Sequence, residues 1–195
     1  KLMNKITALA ENPPNVTDIP LAFNPVEEYV AGIIGERSNV WFFARGLIAQ
    51  ICAFYSYQDV KIVLIADKKE EHVWKFMRSL AHLFDDAGVK RTLATSLESL
   101  MEISMQLERA IEDRADIQSD NFSDFAPYYI IICANKQLVE RSDTITKLSK
   151  AQQNRGFSLI YFGDNLRDLP RECDYVIDLM QDVTDEDFGH VSQEL

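Results

Sequence analysis

A chain of 195 residues, 47% of them hydrophobic, has material for one large α/β domain or two small ones, and at this size can bury roughly 70% of its unfolded surface. A net charge of −11 argues against a nucleic-acid-binding surface, which needs clustered Lys and Arg. No apolar run approaches the roughly 18 residues of a membrane span and the start carries no signal-peptide pattern, so the stretch is expected to be soluble whatever it is joined to.

Residues 1–15 read as a linker. A short apolar-periodic piece is broken there by Asn12-Pro13-Pro14-Asn15, a stiff turn, and the start at Lys1 without an initiator methionine is expected for a piece of a longer chain. Residues 19–23 read as a strand, Asn24-Pro25 as a turn and residues 29–34 as a second strand, the two forming a hairpin at the sheet edge.

The second strand opens the stretch around which the chain is organised. Gly32 and Gly35 stand three apart, Ser38 is a helix-start residue, and Val40, Phe43, Ala44, Leu47, Ile48, Ile51, Cys52 and Tyr55 recur at helical spacing. Trp41 and Phe42 widen that apolar face until little polar surface is left, so this helix is expected to be covered on more than one side. Strand, tight turn and helix together form the unit that cradles phosphate in nucleotide-binding folds.

The groups that grip a nucleotide are another matter. A working P-loop runs Gly, four residues, Gly, Lys and Ser or Thr. Laid on from Gly32, the template's second glycine becomes Arg37, its lysine Ser38 and its hydroxyl Asn39, while Glu36 adds a negative charge. Losing two or three charge-assisted contacts at roughly 1.5–3 kcal/mol each costs at least about a hundredfold in affinity. An alternative stays open: Gly32 and Gly35 serve only close packing and a tight turn. A dinucleotide fingerprint is absent.

Downstream, residues 61–66 form a continuous apolar run of the kind found in parallel strands buried on both faces. Asp67 at its end is a catalytic candidate or a helix cap, and the cap is favoured, for a helix over residues 70–84. A weaker strand spans residues 89–94. Thr95-Ser96-Leu97-Glu98 reads as a capping box opening a helix that runs to about residue 117, with its methionines taken as packing. Residues 118–125 are polar and loop-like, and residues 128–133 form another buried strand. In an active P-loop ATPase that strand ends in an acidic pair; here it ends Cys133-Ala134-Asn135. A helix over residues 136–152, a strand over 157–162 and a short strand over 175–179 complete the domain, and residues 181–195 read as an acidic linker. Cys52, Cys133 and Cys173 match no metal or redox spacing, nor do His72, His82 and His190. No metal site is expected, and the unpaired cysteines suit a reducing, cytosolic setting.

Taken in order, residues 19–23, the altered loop 32–37, residues 47–51 and the strand 61–66 resemble the first ATPase-like module of the EssC/EccC family, membrane-bound FtsK/SpoIIIE-type ATPases of type VII secretion. Trp74 with Leu80-Ala81-His82, residues 90–94, residues 156–160 and Leu169-Pro170 extend the resemblance over about residues 16–180; Ala81 departs from the family's proline. The resemblance implies an α/β fold, a mostly parallel sheet with flanking helices of P-loop NTPase type. It further implies a degenerate, non-hydrolysing module that binds no nucleotide itself, with Mg-ATP held by other modules of the parent protein. The implied partners are those adjacent modules and other subunits of the secretion machine, at the cytoplasmic face of a bacterial membrane reached through segments outside this stretch, with oligomers possible in the full protein. A weak or unconventional nucleotide site, in which Arg37 and Asn39 partly replace the lost groups and an oligomeric neighbour completes it, is the alternative. A DNA translocase module is disfavoured by the acidic charge.

Overall fold

The computed structural model describes residues 22–85, 87–119 and 121–179. Six strands form one sheet: β1 Val30–Ile34, β2 Val60–Ile65, β3 Leu93–Ala94, β4 Tyr128–Cys133, β5 Phe157–Gly163 and β6 Tyr175–Asp178. Their order is β3-β2-β4-β5-β1-β6 and every ladder between them is parallel. β1, β2, β4 and β5 are buried along their whole length, which explains their continuous apolar runs.

Alternation along each strand divides the core in two. Ala31, Ile33, Ile62, Leu64, Ile130, Ile132, Ile160 and Phe162 face α1, the helix Arg37–Phe54, through its Val40, Ala44, Ile48 and Ile51. Val63, Ile65, Ile131, Cys133, Leu159 and Tyr161 face α2, Leu97–Asp113, and α4, Asp143–Ser149; the short helix α3, Lys136–Val139, precedes α4. Each aliphatic side chain so buried contributes about 1.5–3 kcal/mol.

Several expectations are corrected. β1 has β5 on one side and β6 on the other, so it has no free edge for a hairpin partner. Residues 22 and 23 are not in a strand, and residues 19–21 lie outside the described residues, as do residues 1–15 and 181–195. Residues 70–84 form no long helix but successive 3-10 turns, Lys68–Glu70, Lys75–Ser79 and Ala81–Leu83. Leu80 is extended (φ −78°, ψ 129°) between the second and third turns and stops a continuous helix there, and the segment buries Val73, Trp74, Met77, His82 and Leu83. Asp67 does cap the first of these turns, accepting from the Lys69 N–H at 2.8 Å.

The helix over residues 136–152 is two helices, because the Ser142 hydroxyl accepts from the Ile145 N–H and starts a new one. Strand 89–94 shrinks to Leu93–Ala94, and α2 ends at Asp113 rather than near 117. Its capping box is made by Ser96 and Ser99, not Thr95 and Glu98. The polar stretch 118–125 contains a 3-10 turn, Phe122–Phe125, whose Phe122 stacks on Tyr128 at 4.7 Å. Met101 and Met105 stand outward on α2, 62% and 56% exposed, instead of packing.

Candidate functional site

The strand-turn-helix unit is present but tighter than the template. Gly32 sits inside β1, in register with Tyr161 of β5 and Val176 of β6, so only Gly35 and Glu36 separate strand from helix. A phosphate-cradling loop presents several residues whose N–H groups converge, and the β1–α1 turn here is two residues long. α1 begins at Arg37, not after Ser38, and Glu36 at its N-cap makes no side-chain cap bond.

Both glycines touch the chain's own leucines. A Cβ at Gly32 would collide with Leu169 Cδ1, and a Cβ at Gly35 would lie 2.9 Å from Leu179 Cβ. Gly35 also has φ +148°, a backbone conformation that side chains with a Cβ rarely adopt. The Leu179 N–H donates to Ile34 O at 2.7 Å, and Asn39 Nδ2 donates to Leu179 O at 3.4 Å. The backbone just beyond β6 thus closes over the turn at the mouth of α1.

Arg37 does not stand free. Its Nε donates to Glu70 Oε1 at 2.8 Å, and its Nη2 donates to Glu70 Oε2 at 2.9 Å and to Ala134 O at 3.0 Å. This fork-on-carboxylate geometry suits guanidinium specifically, and it ties α1 to the turn after β2 and to the end of β4. The side chains of Arg37 and Glu70 are 29% and 18% exposed. Glu36 and Ser38 are exposed and Asn39 is half-buried.

At the end of β4, Cys133 is buried, and desolvation pushes its thiol far above the ordinary range. Ala134 and Asn135 both donate backbone N–H groups to Ile65 O, and Asn135 Oδ1 caps α3 by accepting from Leu138 N at 3.0 Å. Lys136 Nζ donates to Arg167 O at 2.9 Å. The strand-end residues singled out in the sequence therefore meet over the C-terminal edge of the sheet, held by internal contacts.

Glu70, Leu169 and Leu179 were not foreseen. Leu169-Pro170 belongs to the family resemblance, but nothing local indicates that its leucine reaches Gly32. Among the described residues no group of three or more His, Cys, Asp or Glu is placed to hold a metal ion. A cleft of about 740 Å³ opens at the opposite, N-terminal end of the strands, lined in part by Glu27, Phe122, Tyr128 and Asn154. Asn154 already donates to Val26 O and Tyr128 Oη and accepts from the N–H groups of Gly156 and Phe157.

No family model matches the chain. The ESX secretion system protein EccC of Geobacillus thermodenitrificans is 23% identical over 168 residues, which cover 86% of this chain and 11% of that protein. EccC of Thermomonospora curvata is 30% identical over 103 residues, 50% of this chain and 8% of that protein. The type VII secretion system protein EssC of Staphylococcus aureus is 22% identical over 186 residues, 92% of this chain and 12% of that one. The chain is similar to EccC and EssC proteins over most of its own length. It spans about a tenth of their length.

Two solved structures show the fold. The T. curvata EccC ATPases 2 and 3 in complex with a signal sequence peptide superimpose with a TM-score of 0.56 at 12% identity, covering 90% of this chain and 36% of that one. The cytoplasmic domain of the T. curvata type VII secretion ATPase EccC gives 0.59 at 14% identity, covering 82% and 20%. This chain therefore shares its fold, a parallel six-stranded sheet with flanking helices, with those EccC structures. No described helix is long and apolar enough to cross a membrane.

Proposed function

We propose that this chain is a non-hydrolysing, ATPase-like module of a type VII secretion motor, coupling neighbouring modules of the parent protein during export at the cytoplasmic face of the membrane. One observation carries this reading: the β1–α1 turn is two residues long and is roofed by Leu179, while the arginine beside it is committed to Glu70 and Ala134 O. A triphosphate seated there would have to displace backbone and would find the one nearby guanidinium of the turn already neutralised, at a cost no remaining group offsets. The missing carboxylate at the end of β4 supports the same reading independently, since Mg²⁺ would lack its protein anchor.

What is left of an ATPase is a rigid frame. Leu179, the residue after β6, is bonded to Ile34 of β1 and Asn39 of α1, so force applied at that residue would bear on β1, β6 and α1 together. Titrating the chain with Mg-ATP, while following heat, melting temperature and phosphate release, tests the proposal. It predicts no heat above dilution, no melting shift and no turnover; tight binding with turnover overturns it.

A further inference from the structure

α2 carries apolar side chains on both of its faces. Leu100, Ile103 and Leu107 pack into the core, while Leu97, Met101 and Met105, four residues apart, stand exposed and form an outward ridge about 12 Å long. A single exposed apolar side chain is normal on any surface, but three in line mark a face that something covers. Methionine suits such a face, being unbranched, polarizable and able to adapt to a second surface.

The charges around that ridge are nearly all of one sign. The exposed ionisable residues of α2 are five acids and one base, Arg109. Glu108 and Glu112 continue the ridge toward the end of the helix, and Glu98 and Glu102 run beside it. Glu98 with Glu102 and Glu108 with Glu112 are like-charge pairs four apart, and Glu112 and Asp113 end the helix, where its dipole disfavours negative charge. Internal contacts answer little of this: Lys90 Nζ donates to Glu102 at 3.3 Å across an exposed pair, and the Thr144 hydroxyl donates to Glu108 at 2.8 Å. The fold thus keeps an electrostatically unfavourable helix surface that a cation-bearing partner would relieve.

We propose that the outward face of α2 docks a cationic amphipathic helix of a partner protein, whose apolar side chains cover Leu97, Met101 and Met105 and whose Lys or Arg residues meet Glu98, Glu102 and Glu112. Charge selects among the occupants. A second copy would set the same acids against these, and an anionic membrane or a nucleic acid would be repelled. An extended segment finds no free backbone to pair with in mid-helix, whereas a ridge of side chains four apart fits the grooves of a second helix. α2 and α1 pack on opposite faces of the sheet, so a partner bound here leaves the β1–α1 turn uncovered.

A fluorescent peptide with leucines at three-four spacing and lysines elsewhere, titrated with the full chain and followed by anisotropy, tests the proposal. Met101→Gln/Met105→Gln, which keeps side-chain length and helix propensity, should weaken binding about tenfold or more. Glu98→Gln/Glu112→Gln should weaken it about threefold and flatten its salt dependence. Phe42→Gln, which removes an exposed aromatic from α1 on the other face, should leave it unchanged. Far-UV circular dichroism confirms that each variant folds. Absent binding overturns the proposal, and so does binding that the methionine and Phe42 variants alter equally, since attraction to an acidic chain alone would not distinguish them. Self-association of the chain that Met101→Gln/Met105→Gln abolishes assigns the face to a second copy and overturns it as well.

Discussion

Two arginines hold opposite ends of this sheet, and they do so differently. Arg37, at the C-terminal end, is partly exposed and grips a carboxylate and one carbonyl. Arg114, at the N-terminal end, is buried to 6% exposure; it donates to the carbonyls of Pro127, Arg155 and Gly156, with its guanidinium 4.6 Å from the Phe157 ring centroid and 5.2 Å from that of Tyr129. The buried arginine is part of the core, as integral as an isoleucine. The exposed one is a latch. In a nucleotide-binding relative of this fold the C-terminal edge is where a ligand sits, and here a latch and two leucines occupy it.

Ways to break that contrast can be ranked by size. Arg114→Ala should cost most, about 3 kcal/mol or more, because it removes a donor from three buried or half-buried carbonyls and opens a gap beside two aromatic rings. Chemical denaturation would measure it, and a loss below about 1 kcal/mol would show that Arg114 is not structural. Gly35→Ala comes next at about 2 kcal/mol, combining a disfavoured φ with a close approach to Leu179. A neutral outcome in the same denaturation experiment would mean that Leu179 does not roof the turn.

Arg37→Ala should cost only about 1 kcal/mol, since a partly exposed ion pair is screened by solvent, and on the proposed reading it should leave the response to Mg-ATP unchanged. If nucleotide binds the parent chain and weakens in this variant, Arg37 serves a ligand, and the contrast between core and latch fails.

Smaller still, near neutral pH, is the effect of the thiols. Burial, then Asp174 and Glu172, pushes Cys173 up to about 12, and burial raises Cys133 as well. A pKa raised in the folded state means that the unfolded chain ionises first. Stability is therefore full below about pH 8.5–9 and falls as pH rises toward 12, by at most about 1.4 kcal/mol per pH unit for each thiol. Melting temperatures that stay flat from pH 8 to 10.5 would contradict it, and Cys173→Ala should shallow the decline.

Composition and period determined a good deal. Uninterrupted apolar runs marked β2, β4 and β5 almost to the residue, because a strand buried on both faces tolerates no polar alternation. Segment 70–84 was not legible as turns, since its buried positions answer to α1 and to Phe162 rather than to a period of their own. Ser142 carries a local signal for the break between α3 and α4, since its hydroxyl accepts from the Ile145 N–H.

Tertiary structure alone decided what became of the cradle. A glycine reads the same whether it yields space to a phosphate or to a leucine 137 positions away, as Gly32 does to Leu169. Arg37 likewise carries no trace in sequence of Glu70, 33 residues on. The number of residues between β1 and α1 was also beyond the pattern, because a glycine within a buried strand and a glycine opening a loop have the same side chain, and only ladder pairing distinguishes them.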